Sequence, residues 1–133
     1  MIRLTAGAVQ TSTKEIMRYA ILFYETQADF DARSGPQAEA NMAAWMSYVG
    51  SIQKAGIMKA GSGLQPPSTA ATVRLVGGKR KVQDGPFADT KESLAGFVLI
   101  DVPELDTALE WASRAPCAST GCVEVRPTIP STD

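Results

Sequence analysis

Arg18-Tyr19-Ala20-Ile21-Leu22-Phe23-Tyr24 is the stretch on which the fold turns. Side chains alternate along an extended strand, so Tyr19, Ile21 and Phe23 fall on one face and Ala20, Leu22 and Tyr24 on the other. Both rows are apolar, and such a strand needs cover on both sides. Downstream, Ser34 with Gln37 stands in capping-box register and Pro36 falls in a first turn, which predicts a helix start. Ala38, Met42, Trp45, Val49 and Ile52 then make one apolar stripe at alternating four- and three-residue spacing, and Gly56 is placed to end the helix. Trp45 and the methionines are expected to be core side chains.

Residues 57–64 read as a second strand weakened by Gly61 and Gly63 and stopped by Gln65-Pro66-Pro67. Residues 72–76 and 79–83 flank Gly77-Gly78, the pair a two-residue hairpin turn requires. Residues 97–101 form a further strand. Asp101-Val102-Pro103-Glu104 opens a second helix with Asp101 as cap candidate, and Leu105, Ala108, Leu109 and Ala112 share its apolar face. Residues 121–126 close the chain as a strand ended by Pro127. The order predicts an α+β fold: a ferredoxin-like split βαβ with an added β-hairpin. Two helices cover one sheet face, and a second copy of the chain is expected on the other, so that the sheets pair into a dimeric α+β barrel. Residues 1–16 read as an N-terminal extension, 17–127 as the domain and 128–133 as a C-terminal tail.

Composition bounds the function. The chain has 133 residues, 44% apolar and 20% charged, enough for one self-sufficient domain. Thirteen Lys and Arg against 14 Asp and Glu give a net charge of -1, which holds neither nucleic acid nor an anionic membrane. No apolar run approaches the roughly 20 residues of a membrane span. The opening Met1 to Val9 lacks a secretory h-region, and cytoplasmic residence is the expectation. Histidine is absent. That removes the usual nucleophile triads, His-containing metal sites and the side chain best matched to proton transfer near neutrality. Cys117 and Cys122 fit no metal or redox spacing and read as ordinary thiols. Neither a metal nor another cofactor is expected.

Acid–base chemistry must then rest on other groups. Asp84-Gly85-Pro86-Phe87-Ala88-Asp89-Thr90-Lys91-Glu92 is the densest candidate. One reading is structural: a tight turn anchored on the core by Phe87, with Asp89 and Glu92 capping a short helical turn. The other is functional: the turn presents Asp84, Asp89 and Lys91 at a cleft, with Asp84 or Asp89 as general base. Alternation in the last strand turns Cys122, Glu124 and Arg126 away from Val123 and Val125, and on the hairpin it sets Thr72 and Arg74 opposite Val73 and Leu75. Arg74, Glu124 and Arg126 are therefore either an ion-pair network or the lining of a pocket for a small anionic ligand, to which Tyr24 and Lys91 are added as candidate binding residues. Lys79, Arg80 and Lys81 read as a solvated hairpin tip.

The segments Met17 to Tyr24, Gly61-Ser62-Gly63-Leu64-Gln65-Pro66, Asp84 to Glu92 and Gly121-Cys122-Val123-Glu124-Val125-Arg126-Pro127, in this order and spacing, resemble the DGPF branch of the YCII-related family. The resemblance implies a homodimeric α+β barrel. The wider group resembles barrels of the muconolactone isomerase and dehalogenase type, often credited with a His-Asp pair that this chain cannot supply. Relatives in the branch accompany extracytoplasmic-function sigma factors, which implies sigma-factor-linked regulation. Two functions follow as expectations: a ligand-binding or regulatory barrel, or a small enzyme acting through Asp on an anionic lactone- or carboxylate-like substrate.

Overall fold

The computed structural model describes residues 15–130. Most of the predicted N-terminal extension, residues 1–14, and the last three residues of the tail lie outside that range. The doubly apolar stretch is the heart of strand β1, Met17–Thr26, on which Tyr19, Ile21, Phe23 and Glu25 are buried while Ala20, Leu22 and Tyr24 are half-buried. Strand β2 spans Met58–Gly63, β5 spans Glu92–Val102 and β6 spans Cys122–Pro127. They form one sheet in the order β2-β5-β1-β6, every neighbouring pair antiparallel. Helix α2, Ala38–Lys54, therefore links β1 to β2 across β5, and α3, Leu105–Ser113, links β5 to β6 across β1. Two interlocked split βαβ units of this kind are the ferredoxin-like plan. Strands β3, Ala71–Val76, and β4, Lys79–Asp84, form a separate two-stranded sheet. Gly77 and Gly78 turn it with φ of 59° and 78°, as the two-glycine signal requires.

Both helices pack on the same face. Ile21, Ile100 and Val102 from the sheet meet Ile52 of α2 and Ala108 and Ala112 of α3, and each fully buried Ile contributes about 1.5–3 kcal/mol. The Tyr48 hydroxyl donates to the Trp111 carbonyl at 2.9 Å and ties the two helices together. Trp45, Val49 and Ile52 of the predicted stripe face inward, but Met42 is 62% exposed and Tyr48 takes a core place instead. Gly56, φ 76°, follows the end of α2 as expected. At the start of β6 a Cβ on Gly121 would fall 2.1 Å from the Tyr24 carbonyl oxygen, so only glycine permits that approach.

Four local expectations are corrected. The capping box belongs to Thr26 and Asp29, which open a short helix α1, Gln27–Asp31. Ser34 caps nothing; Gly35–Gln37 form a 3-10 turn, and the Ser34 hydroxyl points back to the Asp31 carbonyl. Asp101 does not cap α3, whose N-cap is Glu104. Its carboxylate is held by Arg18, its cross-strand partner, at 2.7 Å and 3.1 Å, and that pairing holds its acid below the usual carboxylate range. No helical turn forms at Asp89 and Glu92, because β5 already pairs with β1 from Glu92 opposite Thr26. Phe87 is 76% exposed rather than anchored in the core, with the Arg74 guanidinium 5.3 Å from its ring centre.

Candidate functional site

Alternation along β6 operates as expected: Val123 and Val125 pack against the core, while Glu124 and Arg126 project from the opposite face beside Tyr24. The Tyr24 hydroxyl donates to Glu124 Oε1 at 3.1 Å, and Arg126 Nε and Nη2 both donate to Glu124 Oε2. Arg126, ahead of Tyr24, holds the Glu124 acid below its ordinary value. Partial burial, and then the Glu124 carboxylate, push the Tyr24 phenol up. The structure thus brings together Tyr24, Glu124 and Arg126 of the predicted set. Arg74 lies on Phe87. Asp84 ends β4 in solvent, and Asp89 is exposed in the segment that follows. The Asp-Gly-Pro turn is fastened to the hairpin by Thr72, whose hydroxyl donates to the Gly85 carbonyl at 2.9 Å. Lys91 borders an open recess of about 450 Å³ with Thr26, Gln27 and Phe30.

A second, more apolar cavity lies elsewhere, between α2 and the β2–β5 side of the sheet. It holds about 420 Å³. Phe23, Trp45, Met58 and Val98 are among its apolar lining residues, with the Phe23 and Trp45 rings edge-on at 5.0 Å. Gly61, Gly63 and Gly96 leave part of its lining as bare backbone. At Gly61 a Cβ would come within 2.9 Å of Val98 and of the Phe97 carbonyl, so the close packing of β2 on β5 requires glycine there.

Glu25 closes the polar end of this cavity. It is 3% exposed, the one buried charged residue among those described, and sits on the helix-facing row of β1 after Tyr19, Ile21 and Phe23. Arg33 Nη2 donates to its Oε1 at 3.1 Å. The same guanidinium donates to the Leu64 carbonyl and, at 3.4 Å, to the Ala95 carbonyl, and lies 4.8 Å from the Phe30 ring centre. Arg33 is thereby fixed from four sides. Burial pushes the Glu25 acid up, and the opposing pull of Arg33 does not cancel it. Among the described residues no buried side-chain polar atom lacks a partner, and only Oε1 of Glu25 is engaged. Oε2 has no protein hydrogen-bond partner among the described residues, and Glu25 is one of the residues lining the cavity.

This pair escaped the sequence reading, which ended the strand at Tyr24. Continued by one residue, the same alternation places Glu25 in the apolar row, and a carboxylate there is a signal in itself. Cys117 is buried with its thiol pushed up to about 12 by burial, the behaviour of an inert core thiol. Among the described residues no three His, Cys, Asp or Glu side chains are grouped to hold a metal, and no helix is long and apolar enough to cross a membrane.

Comparison with known proteins gives the same outline. The family model of the YCII-related domain matches residues 17–132. An uncharacterized protein of Rhizobium meliloti (strain 1021) is 41% identical over 113 residues, covering 84% of this chain and 91% of that protein. Among solved structures, the 5-chloro-2-hydroxyhydroquinone dehydrochlorinase of Burkholderia phenoliruptrix AC1100, in complex with 2,5-dihydroxybenzoquinone, superposes with a TM-score of 0.51 at 14% identity. That match covers 86% of this chain and 96% of the dehydrochlorinase. At that identity the likeness is one of fold.

Proposed function

The chain belongs to the YCII-related family, and from that membership we propose that it is a small-molecule-binding barrel whose ligand occupies the cavity under α2. The observation that carries this reading is the cavity itself: about 420 Å³, largely apolar, with one fixed ion pair at its end. A small-molecule site has this composition, apolar walls supplying affinity and a few polar groups supplying orientation. The reading includes a homodimer. Ala20, Leu22, Phe97 and Leu99 form an apolar patch on the sheet face away from the helices, and none is deeply buried within one chain. A second copy laid on that face would give both protomers the cover that β1 requires. We place the dimer in the cytoplasm, and the sigma-factor-linked regulation implied by the family would use ligand occupancy as its signal.

The small anionic ligand expected at Arg74 and Arg126 has less behind it, because Arg126 is engaged by Glu124 and Arg74 by Phe87. Catalysis by Asp84 or Asp89 would need a substrate at the exposed end of the hairpin, and neither residue lines the cavity. Binding is therefore the favoured function.

Trp45 provides the test, since it lines the cavity and only one other tryptophan, Trp111, is present. In a Trp111→Phe variant, titration with toluene, 4-methylanisole and p-cresol is expected to shift Trp45 emission and to protect it from acrylamide quenching. Silence of Trp45 with all three compounds up to their solubility would contradict the reading.

A further inference from the structure

We infer that the ligand of this cavity is a planar, apolar, uncharged molecule bearing a hydroxyl group, a phenol or an enol, which donates a hydrogen bond to Glu25 Oε2. The inference rests on the proposed cavity reading and adds the chemistry of its polar end. Besides the Asn41 amide, the polar side chains lining the cavity direct their donors to protein acceptors. The Arg33 donors are directed to Glu25 Oε1 and to the Leu64 and Ala95 carbonyls. The Ser62 hydroxyl donates to the Gly63 carbonyl at 3.0 Å. What the pair offers an incoming molecule is an acceptor, the second carboxylate oxygen.

Charge narrows the class. A carboxylate or phosphate would add an uncompensated negative charge among apolar walls, beside a Glu25–Arg33 pair that is already neutral, which is unfavourable. An ammonium ligand would find a carboxylate already neutralised by Arg33 and would leave one positive charge uncompensated among apolar walls. A neutral O–H donor adds no charge and gains a hydrogen bond to an ionised acceptor, roughly twice as strong as one between neutral groups. Shape narrows it again. Gly61, Gly63 and Gly96 put no side chains into the lining, and the Phe23 and Trp45 rings supply aromatic edges and faces against which a planar ring can pack.

The test compares p-cresol with 4-methylanisole, its near-isostere without the donor, and with 4-methylbenzylammonium, using calorimetry on the full chain at neutral pH. p-Cresol is expected to bind about tenfold or more tightly than 4-methylanisole. Glu25→Gln should bring that ratio down toward unity while 4-methylanisole affinity stays within about twofold. Equal affinities of p-cresol and 4-methylanisole for the wild type overturn the inference and leave the cavity reading standing. Stronger binding of the ammonium overturns the neutral-donor assignment. Failure of all three to bind removes the cavity reading itself. If Glu25→Gln does not fold, the wild-type ratio alone still decides.

Discussion

Leu22→Asp is expected to halve the particle mass in solution, from about twice 14.1 kDa to 14.1 kDa, at micromolar concentration. Leu22 stands on the sheet face away from the helices, paired with Phe97 on β5 and Glu124 on β6. Two-fold symmetry places two new carboxylates in one apolar contact. Desolvating them without partners costs at least about 4 kcal/mol together, a factor of roughly a thousand in the dimerisation constant. Because Leu22 lies outside the core cluster, the monomer should keep its fold and its far-ultraviolet circular dichroism. Leu99→Asp, beside Ala20 on the same face, should behave alike. A wild type that sediments as a monomer, or a Leu22→Asp protein that remains a dimer, contradicts the barrel.

Arg33→Leu is expected to destabilise the protein by about 2–3 kcal/mol at neutral pH, read from denaturant midpoints. The loss has two parts: the Leu64 and Ala95 carbonyls lose a donor, and Glu25 is left as a buried carboxylate without its counter-ion. The Arg33 side chain is itself 32% exposed and Glu25 can take up a proton, so the figure sits at or below the low end for a broken buried pair. The pH dependence has a definite sign. Burial already raises the folded-state acid of Glu25 above its ordinary 4.5, and removing Arg33 removes the interactions that oppose the rise. The folded state then binds more protons than the unfolded chain between the ordinary value and the raised one. The penalty is complete above the raised value and is relieved as pH falls through it toward 4.5. The deficit of Arg33→Leu relative to wild type should therefore shrink on acidification, and combining it with Glu25→Leu should recover part of the loss. A deficit that does not vary with pH would mean that Glu25 is not the stranded group.

The sequence revealed the architecture wherever local rules and tertiary pairing agree. The Tyr19, Ile21 and Phe23 row in β1, two glycines between extended runs and a glycine after α2 each have one good structural solution, and the chain adopts it. It misled where partners distant in sequence decide. Glu92 looked like a cap until its pairing with Thr26 made it the start of β5. Asp101 looked like an N-cap until its cross-strand neighbour proved to be Arg18. The cavity was hidden for a related reason: β1, the loop after α1, α2, β2 and β5 all contribute to it, and no segment alone carries its shape. Trp45 packs against the core as expected, yet it also lines the cavity, and sequence spacing alone could not separate these roles. Glu25 was within reach of strand alternation and was lost only because the strand was ended too early.

The most direct test of the ligand site is an amide chemical-shift map of the full chain titrated with p-cresol. Saturable shifts are expected at the amides of Gly61, Gly63, Ala95 and Gly96 and at the Trp45 indole, all on the cavity. Saturable shifts confined instead to Tyr24, Glu124 and Arg126 on the open sheet face, or to the hairpin around Arg74 and Asp84, would contradict the cavity reading.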